Sequence, residues 1–200
     1  MRVLGLTGSI AMGKSIAAAM LRRMGAPVHD ADKVVHDLTS AGGAAIPAIV
    51  GAFPDVASGA GLDRHALSRR AFDDPAVLRR LEEILHPLVR AAETRFLRLQ
   101  RARRKRIVTL DIPLLLETGG EKRCDAVLVV SAPRLIQMQR VLSRPGMSLS
   151  KLHGIELRQM PDGEKRRRAD FVIPTGLGRR ATWVALKKAV RKTRTMRARA

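Results

Sequence analysis

The run Gly8-Ser-Ile-Ala-Met-Gly13-Lys14-Ser15 constrains this chain more than any other feature. It matches G-x-x-x-x-G-K-[ST] and lies between an apolar stretch, Arg2–Leu6, and a helical one, Lys14–Met24, which Gly25 and Pro27 stop. A buried strand, a glycine-bearing turn and a helix start together make a cradle for phosphate. Glycines let backbone N–H groups converge on an anion, and the helix adds its positive end. In such a cradle Lys14 bridges the β- and γ-phosphates, and the Ser15 hydroxyl ligates Mg²⁺. The alternative, a glycine-rich turn that binds nothing, is disfavoured by the strand and helix on either side.

Four further apolar runs read as strands: Pro27–His29, Ile107–Ile112, Ala126–Val130 and Phe171–Ile173. Continuous apolar runs suit a parallel sheet covered on both faces. With helices expected at Arg134–Leu142 and Leu177–Lys192, the pattern predicts an α/β fold on a five-stranded parallel sheet. Two stretches interrupt it. Residues 32–106 read as almost entirely helical, with a turn at Gly59–Gly61 and a helix start at Asp73-Asp74-Pro75. Leu78, Leu81, Leu85 and Leu88 fall at helical spacing there, and Pro87 is expected to open a new helix or kink the old one. Residues 140–168 form a second insertion dense in Arg and Lys.

The charge narrows the partners. Lys and Arg number 38 against 18 Asp and Glu, a net +20, and 29 of the 38 are Arg. Arg presents a planar fork to phosphate, so a polyanion or a phosphorylated small molecule is the expected partner. Part of the excess is also consistent with Arg simply decorating solvated faces. With one Trp and no Tyr, the chain can hardly build a base-stacking platform of the kind RNA-binding sheets use. Its single cysteine, Cys124, excludes an internal disulfide and a four-cysteine zinc site. A reducing, cytoplasmic setting is expected. No apolar run reaches the length of a membrane span, and Lys14 interrupts the faintly leader-like start, Met1–Ala19. The tail from Lys187 carries seven basic residues and no acid. Residues 193–200 are expected to lie outside the core and to bind nucleic acid weakly and nonspecifically.

A phosphate loop does not choose between GTPase, ATPase and kinase. No Asn-Lys-x-Asp guanine-reading motif is present, so GTP is not expected. A short chain with a helical and a basic insertion has the layout of a small-molecule kinase. An ordered set of motifs goes further. After Gly5-Leu6-Thr7-Gly8 and the loop come Asp30-Ala31-Asp32, Leu85-His86-Pro87-Leu88 and Pro113-Leu114-Leu115-Leu116-Glu117. Val129–Pro133, Arg140–Arg144, Arg158-Gln159-Met160, Lys165 and Ala169–Ile173 complete it. Over nearly its whole length the chain resembles the dephospho-coenzyme A kinases. The family's loop usually has glycine where Ala11 stands and threonine where Ile16 stands, and phenylalanine is usual at Leu116. If residue 11 needs a positive φ, its methyl group strains the loop.

The resemblance implies a P-loop NTPase core (residues 1–31, 107–139 and 169–200), a helical CoA-binding domain (32–106) and a small lid (140–168). It implies transfer of the γ-phosphate of ATP to the ribose 3′-hydroxyl of dephospho-CoA, with ATP and Mg²⁺ required and a monomer expected. Gly8, Ala11, Met12, Gly13, Lys14, Ser15 and Ile16 are expected to bind ATP, with Arg144 assisting. Ser15 and Asp111 are expected at the metal, Asp111 because it ends an apolar strand. Asp32 follows the second strand, at the sheet edge where α/β folds bind ligands. It could take the proton of the attacking hydroxyl or hold the magnesium shell, and the resemblance points to the base. Asp30 could be functional or a helix cap. His86 is expected to touch substrate or simply to begin a helix, and Glu117 to be a supporting acid or a helix residue. Arg140 and Arg144, at i and i+4, are expected on one helical face, with Arg140 neutralising charge on the transferred group. Lys165–Arg168 read as general electrostatics, with one Arg available to stack on adenine. Two other readings remain: a kinase for a different small metabolite, and a nucleic-acid-binding protein with an accessory phosphate loop.

Overall fold

The computed structural model describes residues 1–59 and 61–196. In chain order the elements are β1 (Arg2–Thr7), α1 (Lys14–Arg23), β2 (Val28–Asp30), α2 (Ala31–Leu38) and α3 (Ile46–Ala52). Then come β3 (Ala57–Ser58), β4 (Gly61–Leu62), α4 (Arg64–Asp73) and α5 (Pro75–Ala102). The chain ends with β5 (Ile107–Asp111), β6 (Ala126–Ser131), α6 (Arg134–Leu142), α7 (Leu149–Glu156), α8 (Asp162–Arg168), β7 (Phe171–Pro174) and α9 (Gly178–Thr195). By internal contacts it divides into two compact units. One comprises Met1–His29 and Gln100–Ala200, the other Asp30–Leu99. Residues 140–168 fall within the first unit.

The first unit is built on a five-stranded parallel sheet in the order β2-β5-β1-β6-β7. Every residue of β5 and β6 is buried, as their unbroken apolar runs require when helices cover both faces. The core gathers Leu4 and Leu6 of β1, Leu21 of α1, Leu128 of β6 and Leu186 of α9. The β1–β5 register sets Leu6 opposite Asp111, so both strands end at the same edge of the sheet. Lys165 lies inside this unit, fully buried. Its Nζ is 2.8 Å from Glu117 Oε1, which also accepts from the Met160 N–H at 2.8 Å. The expectation of general electrostatics fails for this lysine, because a buried ammonium requires a close anionic partner.

The basic tail begins later than expected. Thr193 is buried, its hydroxyl donating to the Ala189 carbonyl at 2.9 Å, and Met196 packs on the core with its carbonyl accepting from Arg2. The hydroxyl turns back on its own helix, so the buried polar atom of Thr193 has its hydrogen-bond partner. The remainder of the expected tail, residues 197–200, lies outside the described residues.

The second unit packs Ala45, Ile49, Phe53, Val56, Leu67 and Leu85 together. Asp30 caps α2, its Oδ1 accepting from the Lys33 N–H at 3.0 Å, and Asp63 caps α4 through the amides of His65 and Ala66. The amide of Ala66 is the main reason the Asp63 carboxyl lies below its usual range. One feature differs from the sequence expectation: a short antiparallel hairpin, β3–β4, interrupts the helices. Of the two alternatives at Pro87, the new helix is not formed, for α5 runs over 28 residues with the proline inside it. Proline offers no N–H to the carbonyl of Glu83, and burial of Val77 and Leu85 holds the helix. Leu78, at the expected spacing, is exposed instead.

Candidate active site

The loop between β1 and α1 is shaped by two glycines that nothing larger could replace. A Cβ on Gly8 would lie 2.4 Å from Val130 Cγ2, and Gly13 has φ +90° with Thr175 against it. Gly13 is the N-cap of α1 and makes no side-chain capping bond, and the helix has no acid in its first turn. The positive end of α1 is thus left to an external anion.

Four side chains from distant elements fasten the loop. Gln159 accepts from the Ile10 N–H at 3.1 Å, and Gln137 donates to the Ile10 carbonyl at 3.0 Å. Arg140 donates to the Ala11 carbonyl at 3.4 Å and to the Thr175 carbonyl at 2.6 Å. The Thr175 hydroxyl donates to the Met12 carbonyl at 2.7 Å. Preorganised in this way, the loop need not rearrange to receive phosphate. Lys14 Nζ donates to Asp111 Oδ1 at 2.9 Å, and the Asp111 side chain is only 3 % exposed. A cavity of about 350 Å³ lies against the loop, lined among others by Ser9, Met12, Arg134, Gln137 and Gln159. A second, of about 460 Å³, shares Ala132, Arg134 and Asp162 with it and reaches Arg166, Pro174 and Leu177.

The first unit therefore brings together Gly8, Ala11, Met12, Gly13, Lys14, Ser15 and Ile16 with Asp111 and Arg140. Ser15 and Ile16 are exposed in the first turn of α1. Arg144 does not share a helical face with Arg140. Helix α6 ends at Leu142 with Ser143 as its cap, leaving Arg144 exposed before Pro145, since a residue preceding proline is pushed out of the helical region. Asp32 and His86 belong to the other unit. Asp32 is exposed in the first turn of α2, and His86 is exposed in the interior of α5, not at a helix start. Sequence reasoning missed Gln137 and Thr175, whose partners lie more than 120 residues away.

A family model described as dephospho-CoA kinase matches residues 2–177. The chain belongs to the dephospho-CoA kinase family. It is 59 % identical over 166 residues to the dephospho-CoA kinase of Paramagnetospirillum magneticum, covering 83 % of this chain and 78 % of that one. It is 54 % identical over 186 residues to that of Rhodospirillum rubrum, covering 92 % and 88 %. Among solved structures, TT1252 from Thermus thermophilus superposes with a TM-score of 0.82 at 37 % identity, covering 96 % of each chain. The dephospho-CoA kinase family phosphorylates dephospho-CoA with ATP, the last step of coenzyme A synthesis. Among the described residues no helix is long and apolar enough to cross a membrane.

Ala11 is one departure from the family's usual loop that the structure explains. Its φ is +59°, in the left-handed region, at a cost of about 1–2 kcal/mol for a residue with a Cβ. The methyl group packs against Val141 and Leu152, returning about 0.8 kcal/mol. Ala11→Gly relieves the strain, loses the contact and frees the unfolded chain, so the changes nearly cancel. We expect turnover within about threefold, a shift under roughly 1 kcal/mol, and a thermal midpoint changed by only a few degrees. A tenfold fall in turnover would show that the methyl group itself sets the position of the loop.

Proposed function

We propose that the Gly8–Ser15 loop holds the phosphates of ATP while dephospho-CoA presents its ribose 3′-hydroxyl to the γ-phosphorus. The reading rests above all on Lys14, held beside Asp111 at the head of α1 in a loop whose carbonyls and amides are already fastened. The hydroxyl oxygen forms the new P–O bond and the bond from the γ-phosphorus to the β,γ-bridging oxygen breaks, releasing ADP. Lys14 stays against the β- and γ-phosphates, and Arg140, at the loop's edge, neutralises charge spreading over the transferred group. The second cavity is assigned to adenine, with Arg166 in its wall for stacking. Residues 140–168 act as a lid that touches the loop through Leu152 and Ala11. Arg144 assists ATP binding from that segment.

Ser15 and Asp111 suit Mg²⁺. Both offer hard oxygen donors at the phosphate end of the site, and this ion needs few protein ligands because waters and phosphates complete its shell. Bound there, it would draw charge from the β- and γ-phosphates. Asp32 takes the proton of the attacking hydroxyl and His86 contacts dephospho-CoA. Both assignments rest on the family resemblance and on the position of Asp32 two residues beyond β2. We further propose that the chain works as a cytoplasmic monomer.

Mixed with Mg-ATP and dephospho-CoA, the protein is expected to release ADP and CoA in equal amounts, followed by coupled ADP assay and chromatography. Adenosine, shikimate and nucleoside monophosphates are expected to be at least 100-fold poorer acceptors by kcat/KM, about 2.7 kcal/mol. ATP hydrolysis indifferent to dephospho-CoA, or a better acceptor among those controls, would sink the reading.

A further inference from the structure

Neither Met1–His29 nor residues 171–200 contain an acidic residue, while residues 171–200 alone hold nine of the basic ones. The fold packs these two segments together. Helices α1 and α9 lie side by side in the first unit, sharing the core through Leu21, Leu186 and Val190. Along α9, Arg180, Lys187, Arg191 and Arg194 recur at intervals of seven, four and three, a single helical stripe about 21 Å long. Beside it is a cavity of about 380 Å³ lined by Met24, Trp183, Lys187, Val190, Arg191 and Arg194. Trp183 is the chain's only tryptophan, half-buried, and the Arg23 guanidinium lies 5.7 Å from the centre of its ring. An aromatic wall ringed by cations, with no acid in either segment, is chemistry for a base attached to phosphates.

We propose that this face of α1 and α9 binds single-stranded nucleic acid without sequence preference, one base entering the Trp183 cavity and the stripe following the backbone. The four cations of the stripe engage about four phosphates of the strand. An anionic membrane fits less well. A helix lying on lipid needs an apolar face to bury, and on α9 Leu186, Ala189 and Val190 are already committed to the core, with Val184 the large apolar side chain left exposed. The site is independent of the phosphoryl-transfer reading and lies on well-formed helix, not on the last few residues.

Because Trp183 is unique, its fluorescence reports the site directly. Titration of the full chain with a thymidine dodecamer, in saturating Mg-ATP, is expected to quench it. Neutralising four phosphates, the binding should weaken about 50-fold between 50 and 200 mM salt. Lys187→Ala/Arg191→Ala/Arg194→Ala, which changes only exposed side chains, should weaken binding at least tenfold and leave dephospho-CoA turnover within twofold. Absence of quenching, loss of quenching when ATP is added, or a triple variant that binds within twofold of the parent would each overturn the proposal. So would tighter binding to equimolar phosphatidylcholine–phosphatidylglycerol vesicles than to the dodecamer.

Discussion

Lys14→Ala is expected to lower kcat for dephospho-CoA phosphorylation by about 1000-fold, roughly 4 kcal/mol of lost transition-state stabilisation. Phosphoryl transfer asks little covalent chemistry of the protein. It asks for fixed charge where negative charge accumulates, between the β- and γ-phosphates. Lys14 is fixed on two counts: it opens α1 directly behind Gly13, and its ammonium is held by Asp111 at 2.9 Å. Water drawn into the vacated space would screen far less effectively than a positioned ammonium. The substitution also removes a partner from a nearly buried carboxylate, so stability should fall by about 1–3 kcal/mol. A thermal melt above the assay temperature separates that loss from the kinetic one. If the folded variant turned over within tenfold of the parent, the loop would not be the phosphate site.

The parts of this molecule that were legible in its sequence are those specified locally. An apolar run bounded by breakers, such as Ala126–Ser131, needs no partner to announce a buried strand. The phosphate loop announces itself because its function is carried by consecutive residues. What was not legible depends on contacts made across the chain. Thr175 and Gln137 show no periodicity, and their worth lies in carbonyls of the loop that no local window contains. Lys165 sits among arginines and resembles its neighbours until Glu117 is brought beside it. Thr193 misleads in the opposite direction. It carries a local signal of a tail outside the core that packing on the same helix overrides. Arg144 fails for a local reason that was available: Pro145 follows it.

Asp32→Asn tests the step furthest from that frame, the fate of the proton. The variant is expected to lose 100- to 1000-fold in kcat while its affinity for ATP changes less than about threefold, since a base contributes of that order to the transition state and little to nucleotide binding. The substitution preserves size and one hydrogen-bonding oxygen. Asp30, not Asp32, is the residue that caps α2, through the Lys33 N–H at 3.0 Å. A first-turn carboxylate aids a helix by about 0.3–1 kcal/mol, and a thermal melt of the variant separates any loss of stability from the kinetic effect. Steady-state kinetics, with ATP binding measured by calorimetry, decide the matter. Collapse of ATP affinity with saturated turnover intact would make Asp32 a nucleotide-positioning residue. A kcat within tenfold of the parent would pass the proton to solvent.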